Sequence, residues 1–150
     1  MNGWVGVFAT AISAVLVFVA GQIVQRFVIE PVQEQKRLIG EIAHVLLFYA
    51  NRGPEGVEMG TFTAEHIHEA SHHLRNLAGR LRSSLFYVPF YDALALLGRV
   101  PKKYDVLEAA KLLVGWSNGI LNKGSGPDNI RQRRIIAEKL GITKRIGVVD

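Results

Sequence analysis

Four of the five histidines in this chain fall between His66 and His73, flanked by Glu65 and Glu69. If that stretch is helical, Glu65, His68 and His72 share one face, because offsets of three and four bring side chains to the same side. A carboxylate and two imidazoles at that spacing could hold zinc or nickel. The same Glu-x-x-His spacing recurs at Glu41 and His44. Two such pairs on neighbouring helices form part of the ligand set of a di-iron bundle, which also needs two further inward carboxylates. Asp92 and Glu108 are the candidates for those.

Direction weighs against such a centre. The apolar stripe around Ile67 and Leu74 places Glu65, His68 and His72 on the far side of their helix. His44 falls opposite the Leu38, Ile42 and Tyr49 stripe of its own. Ligands of a bundle core must point inward. These residues are therefore expected on a solvated face, where a weak surface metal site at Glu65, His68 and His72 is the most they could form. No cofactor is expected. The clustered histidines would gain charge between about pH 5 and 7, so pH sensing is a second role for the same face.

Other chemistry finds little support. With no cysteine there is no thiolate for catalysis or zinc and no disulfide. Lys123-Gly124-Ser125-Gly126 lacks the strand and spacing of a phosphate loop, and no Gly-x-Ser-x-Gly occurs. Ser117 and Asn118 sit within an apolar helical run, where their side chains are expected to bond across the bundle or back to the helix carbonyls. Arg75, Arg80 and Arg82 are expected to pair with Glu65, Glu69 or Asp92. The chain carries no motif of an enzyme.

Nucleic acid fares no better. The stretch Ile130 to Ile142 carries Arg131, Arg133, Arg134 and Lys139, and its Ala137-Glu138-Lys139-Leu140-Gly141-Ile142 ending looks like the first helix and turn of a helix-turn-helix. Only Thr143 to Asp150 follow, too few for a recognition helix. No aromatic residues interleave the basic ones as a stacking platform requires. The excess of 18 Lys and Arg over 13 Asp and Glu, a net charge of +5, is equally accounted for by attraction to anionic lipid.

The element that must position everything else is the N-terminal run. From Gly3 to Gln25 there is no Asp, Glu, Lys or Arg. A helix crossing a bilayer core needs roughly 20 such residues, and a helix apolar on every side is not a surface helix of a soluble domain. The run is expected to be a single transmembrane anchor, residues 1–29. Arg26, Lys36 and Arg37 follow it and none of their kind precedes it, which places the N-terminus outside and the remainder, residues 30–150, in the cytoplasm. A cleaved signal peptide would need a basic leader and a small-x-small site; the first is missing and the second is poor around Val17 to Ala20. Within the span, Gly6, Thr10 and Ser13 lie on a small-residue face that lets two helices approach closely. Self-association there, or contact with another membrane protein, is the expected partnership alongside the lipid bilayer itself.

After Glu30-Pro31 the pattern becomes amphipathic. Pro31 either opens a new helix or kinks one continuous with the span. Leu38, Ile39, Ile42, Val45, Leu46 and Tyr49 have helical spacing, and the Asn51 to Gly56 stretch stops it. A second helix follows Thr63 as N-cap, with Ile67, Ala70, Leu74, Leu77, Ala78, Leu81 and Leu85 on one side. A short helix spans Phe90 to Leu97, closed by Gly98 and Pro101. A fourth is capped by Asp105, with Val106, Leu107, Ala110, Leu113, Val114, Ile120 and Leu121 apolar. A fifth is capped by Asp128 and carries Ile130, Ile135, Ile136 and Leu140. No segment alternates with period two for long enough to form a sheet. The expected fold is all-α: one transmembrane helix and a soluble bundle of four to five helices.

Several strings support this organisation together: Arg26-Phe27 with Glu30-Pro31, Lys36 to Ala43, Phe48 to Asn51, Leu74 to Ala78, and Leu112 to Asn118. With them the chain resembles a group of small bacterial proteins that have one N-terminal span and a compact helical domain. The resemblance implies that architecture and a bacterial inner-membrane setting. It transfers no activity and no site residue.

Overall fold

The computed structural model describes residues 3–50, 64–121 and 126–143. They are helical almost throughout, with no strand among them. The first helix, α1, covers Gly3–Val24 and continues through a π-helical turn, Gln25–Ile29, into α2, Glu30–Ala50. At about 1.5 Å per residue the three segments run some 70 Å. Pro31 sits inside this rod. It has no N–H to donate to the carbonyl of Phe27, and its ring would crowd that carbonyl in a regular α-helix. The π-turn just before it relieves the conflict: Glu30 N–H bonds to Gln25 O, one residue further back than usual. The proline neither opens a separate helix nor breaks this one.

Two halves of the rod live in different surroundings. Every described side chain of α1 is exposed, and Val7, Phe8, Ile12, Val15, Leu16, Phe18 and Ile23 show apolar surface around the whole circumference. By length and composition α1 is the one described helix able to cross a membrane. In α2 the apolar residues withdraw to one side. Val32, Gln35, Leu38, Ile39, Ile42, Val45 and Leu46 are buried, the three-and-four spacing of a core-facing stripe.

The bundle is completed by α3, Ala64–Tyr87, α4, Tyr91–Leu96, α5, Lys103–Leu121, and α6, Gly126–Lys139. The pair α3 and α5 is central, with α2 against α3 and α6 against α5. Leu74, Leu77, Leu81, Val106, Ala109, Leu113 and Ile136 are fully enclosed. Burying a leucine of this kind contributes roughly 1.5–3 kcal/mol over leaving it in water, so α3 and α5 hold most of the core.

Cross-helix bonds fix the directions. Arg80 with Glu41, and Gln35 with Ser84, make α2 and α3 antiparallel. Arg75 with Ser117 and Asn118 at one level, and Lys103 with Asp92 just past the end of α3 at the other, do the same for α3 and α5. Lys139 with Asp105, and Arg133 over the Trp116 ring, do so for α5 and α6. The end of the bundle nearest α1 therefore gathers the C-terminus of α3, all of α4, the N-terminus of α5 and the C-terminus of α6. The opposite end holds the start of α3 and of α6.

Two helices close alike. At α4, Arg99 N–H bonds to Leu94 O at 2.9 Å and Gly98 N–H to Ala95 O at 3.0 Å. At α6, Ile142 N–H bonds to Ala137 O at 2.8 Å and Gly141 N–H to Glu138 O at 3.0 Å. Both are Schellman caps, which need a left-handed residue, and Gly98 and Gly141 supply it at φ 66° and 68°. Buried Ile142 locks the second against the core.

Some local expectations change. Asp105 lies inside the first turn of α5, which begins at Lys103, and binds Lys139 instead of capping. The core face of α5 keeps Val106, Ala110 and Leu113 and adds Ala109, Trp116 and Ser117, while Leu107 and Val114 are 42% and 40% exposed. Ile130 is exposed at the start of α6. Thr63, and the side chains of Tyr49, Leu121 and Asp128, lie outside the described residues.

Candidate anchor and polar junctions

The expected metal face is where the sequence put it and nowhere near a core. Glu65, His68 and His72 are all exposed along the outer side of α3. His44 is exposed on α2, its ring stacked on Phe48 with centroids 6.2 Å apart. Glu41 is bound elsewhere: Arg80 Nη1 donates to both its carboxylate oxygens, at 3.2 and 3.0 Å. The other two carboxylates are also engaged. Asp92 accepts from Lys103 Nζ at 2.8 Å, and Glu108 pairs with Lys139 at 2.8 Å. Among the described residues no three His, Asp or Glu side chains converge. The Glu41, His44, Glu65 and His68 set is thus dispersed over outward faces and ion pairs.

The arginine partners also differ from expectation. Arg80 reaches back to α2, to Glu41 and at 3.8 Å to Glu34. Arg75 Nε donates to Ser117 Oγ at 3.2 Å, and its Nη2 to Asn118 Oδ1 at 2.7 Å. Ser117 Oγ in turn donates to Val114 O at 2.7 Å. Ser117 and Asn118 both tie α5 to α3, and Ser117 also bonds back to its own helix. Lys139 bridges Asp105 and Glu108, and these hydrogen bonds raise its pKa well above the ordinary lysine value, Glu108 first.

The small-residue face of α1 is open. Thr10 Oγ1 donates to Gly6 O at 2.9 Å, so the hydroxyl is satisfied within the helix. Gly6, Thr10 and Ala14 line a shallow groove, and a Cβ at Gly6 would meet nothing. Ser13 is exposed beside it.

One feature escaped the sequence altogether. Gln35 is fully buried, and its Nε2 donates to Ser84 Oγ at 3.0 Å and Tyr91 Oη at 2.9 Å. Ser84 Oγ donates onward to Leu81 O at 2.7 Å. This chain of bonds joins α2, α3 and α4 at the end nearest α1. Gln35 Oε1 is buried without a hydrogen-bond partner among the described residues. A signal existed: position 35 lies three after Val32 and three before Leu38, squarely on the apolar stripe. A cleft of about 600 Å³ opens just beside this node, lined by Arg26, Glu30, Pro31, Gln33, Glu34, Arg37 and Tyr87.

No protein-family model, characterised protein or solved structure matches the chain.

Proposed function

We propose that this chain is a membrane-anchored helical interaction module. In this reading α1 is a single span of a bacterial inner membrane. A soluble bundle of four to five helices stands on the cytoplasmic side, toward which Arg26, Lys36 and Arg37 point the positive charge. The observation that carries the reading is the contrast along one unbroken rod. The apolar surface is uncovered on every side of α1 and gathered to one side in α2. A helix with no apolar partner anywhere on its surface needs an apolar solvent. Because the helix does not break between α1 and α2, the bundle is held at a fixed angle to the anchor instead of swinging on a linker.

The function is then a matter of placement. Confinement near the bilayer raises the effective concentration of the bundle toward a second copy or a membrane partner. The small face of Gly6, Thr10 and Ser13 is the contact offered inside the bilayer.

Crosslinking with mass spectrometry on intact native membranes tests this. Reproducible crosslinks of the chain to itself, or to one other membrane protein, are the expected result. Release of the chain from membranes by alkaline carbonate would remove the anchor. Retention in the membrane with no crosslinked neighbour would remove the interaction role.

A further inference from the structure

We propose that the corner joining α3, α4 and α5 is a second lipid contact, with Phe86, Phe90, Leu96 and Leu97 entering the headgroup layer beside the anchor. The proposal rests on the reading of α1 as a membrane span.

The level of the corner follows from its neighbours. Tyr87, at the end of α3, shares a cleft with Arg26 and Glu30, where the uncharged run of the rod ends. Tyr91, at the start of α4, is bound to Gln35, six residues beyond Ile29 and so about 9 Å along the axis. Headgroup and interfacial regions add about 5–8 Å on each side of a hydrocarbon core of about 30 Å. Tyr91 thus stands at the outer edge of that layer, and Tyr87, beside Arg26, brings the end of α3 back into the layer in which Arg26 would lie.

What it shows to that layer is unusual for a soluble surface. Leu96 is 89% exposed, Phe86 88%, Phe90 77% and Leu97 72%. The first three are more exposed than Trp4, at 76% the most open large apolar residue of α1. Phe90 is also the one described non-glycine residue with left-handed backbone, at φ 49°. That conformation is strained for a side chain with a Cβ, and here it turns an aromatic ring away from the core. Strain kept in order to expose an aromatic residue points to a surface that is covered in use.

The surrounding charge selects the occupant. Arg99 and Lys102 are exposed next to the corner, and Arg26 lies at the same end. Of the acids at this end, Asp92 pairs with Lys103 and Glu34 with Arg37 at 3.0 Å, and Glu30 stands beside Arg26 in the cleft. Exposed aromatic and leucine side chains ringed by basic ones, level with the end of a span, match the water–lipid boundary of an anionic leaflet. Apolar side chains on interfacial helices sink about 5–10 Å into that boundary.

The absence of cysteine makes the test clean. Val15→Cys, Phe86→Cys, Leu96→Cys and His72→Cys are each labelled with an environment-sensitive fluorophore in the full chain. The chain is reconstituted into phosphatidylcholine–phosphatidylglycerol vesicles with or without lipids that carry a quencher. All four sites are exposed, so folding is not at stake. The expected result is a blue shift and quenching at Val15, Phe86 and Leu96, with neither at His72 on the far part of α3. Quenching at Val15 with Phe86 and Leu96 as wet as His72 overturns the proposal and leaves the anchor standing. Shielding of Leu96 from water without quenching by lipid also overturns it, because protein then covers the corner. No quenching at Val15 removes the anchor and this proposal with it.

Discussion

Gln35 Nε2 lies 2.9 Å from Tyr91 Oη, and this one bond ties the second turn of α2 to the start of α4 across 56 residues. The same nitrogen holds Ser84 at 3.0 Å. A buried amide that binds two hydroxyls cannot be deleted cheaply, because Tyr91 Oη then loses its partner in an apolar setting and Ser84 keeps only its bond to Leu81 O. Gln35→Ala is expected to lower stability by about 1–3 kcal/mol. Urea denaturation of the full chain in a Trp4→Phe background, followed by the fluorescence of Trp116, measures it. A double-mutant cycle with Tyr91→Phe should return a coupling of at least about 0.5 kcal/mol, as for groups in direct contact. Strict additivity would mean the bond contributes nothing.

Tyr91 makes the same junction sensitive to alkali. Burial pushes its phenol above the ordinary value of 10.0, and the bond from Gln35 offsets part of that. Burial raises Tyr87 as well. A raised folded pKa means the folded state keeps the proton more tightly than the unfolded chain. The contribution is fully present below about pH 10 and is lost as pH climbs through the folded value. The urea midpoint should hold steady to about pH 9.5 and then fall, and Tyr91→Phe should flatten the fall. An equal fall in that variant would assign the alkaline loss to other groups.

What could be read from the residues, and what could not, follows physical lines. The uncharged run was visible because a bilayer-length helix needs one property throughout, and counting suffices to find it. The stripes of α2 and α3 were visible because period 3.6 repeats many times. In α5 the pattern was ambiguous: apolar residues occupy nearly all sides, so Leu107 and Val114 competed with Ala109 and Trp116, and packing against α3 and α6 decided. Gln35 was hidden because a polar letter on an apolar stripe is ordinarily discounted. The exposed Phe86, Phe90 and Leu96 were hidden for the opposite reason: apolar letters near a turn are ordinarily assigned to a core. The arginine partners depended on helix order, which periodicity does not specify.

The competition within α5 gives a direct comparison of neighbours. Leu113 is fully buried, and Val114, one residue on, is 40% exposed. Leu113→Ala should cost about 2–5 kcal/mol through lost burial and the cavity left behind. Val114→Ala should cost under about 1 kcal/mol in the same urea titration, since partly exposed sites away from caps and networks tolerate truncation. Similar losses at both positions would mean that α5 is rotated from its assigned face.

The open face of α1 yields a test of the proposed self-association. Gly6 and Ser13 are exposed, and a Cβ at Gly6 meets nothing, so larger side chains there do not disturb the helix itself. They would hold two helix backbones apart. Gly6→Leu with Ser13→Leu should lower the yield of crosslinked dimer in membranes, while Val15→Leu on another face should not. An unchanged yield in the double variant shows that this face is not an interface.

Glu41 separates the interaction module from a metal-dependent enzyme. As a ligand it would have to face a metal; instead it accepts twice from Arg80 on a half-exposed flank. An ion pair so open to water contributes about 0–1 kcal/mol. Glu41→Gln should therefore cost no more than that in stability and leave metal content unchanged. His68→Ala with His72→Ala should remove only weak zinc or nickel binding, because no hydrogen bond among the described residues fixes the orientation of those exposed imidazoles. Elemental analysis of purified full-length protein, wild type and both variants, reads the outcome. Stoichiometric iron, manganese or zinc that disappears in both variants would mean α2 and α3 rearrange to bring Glu41 and His68 together, and the chain would then be an enzyme of the bundle type.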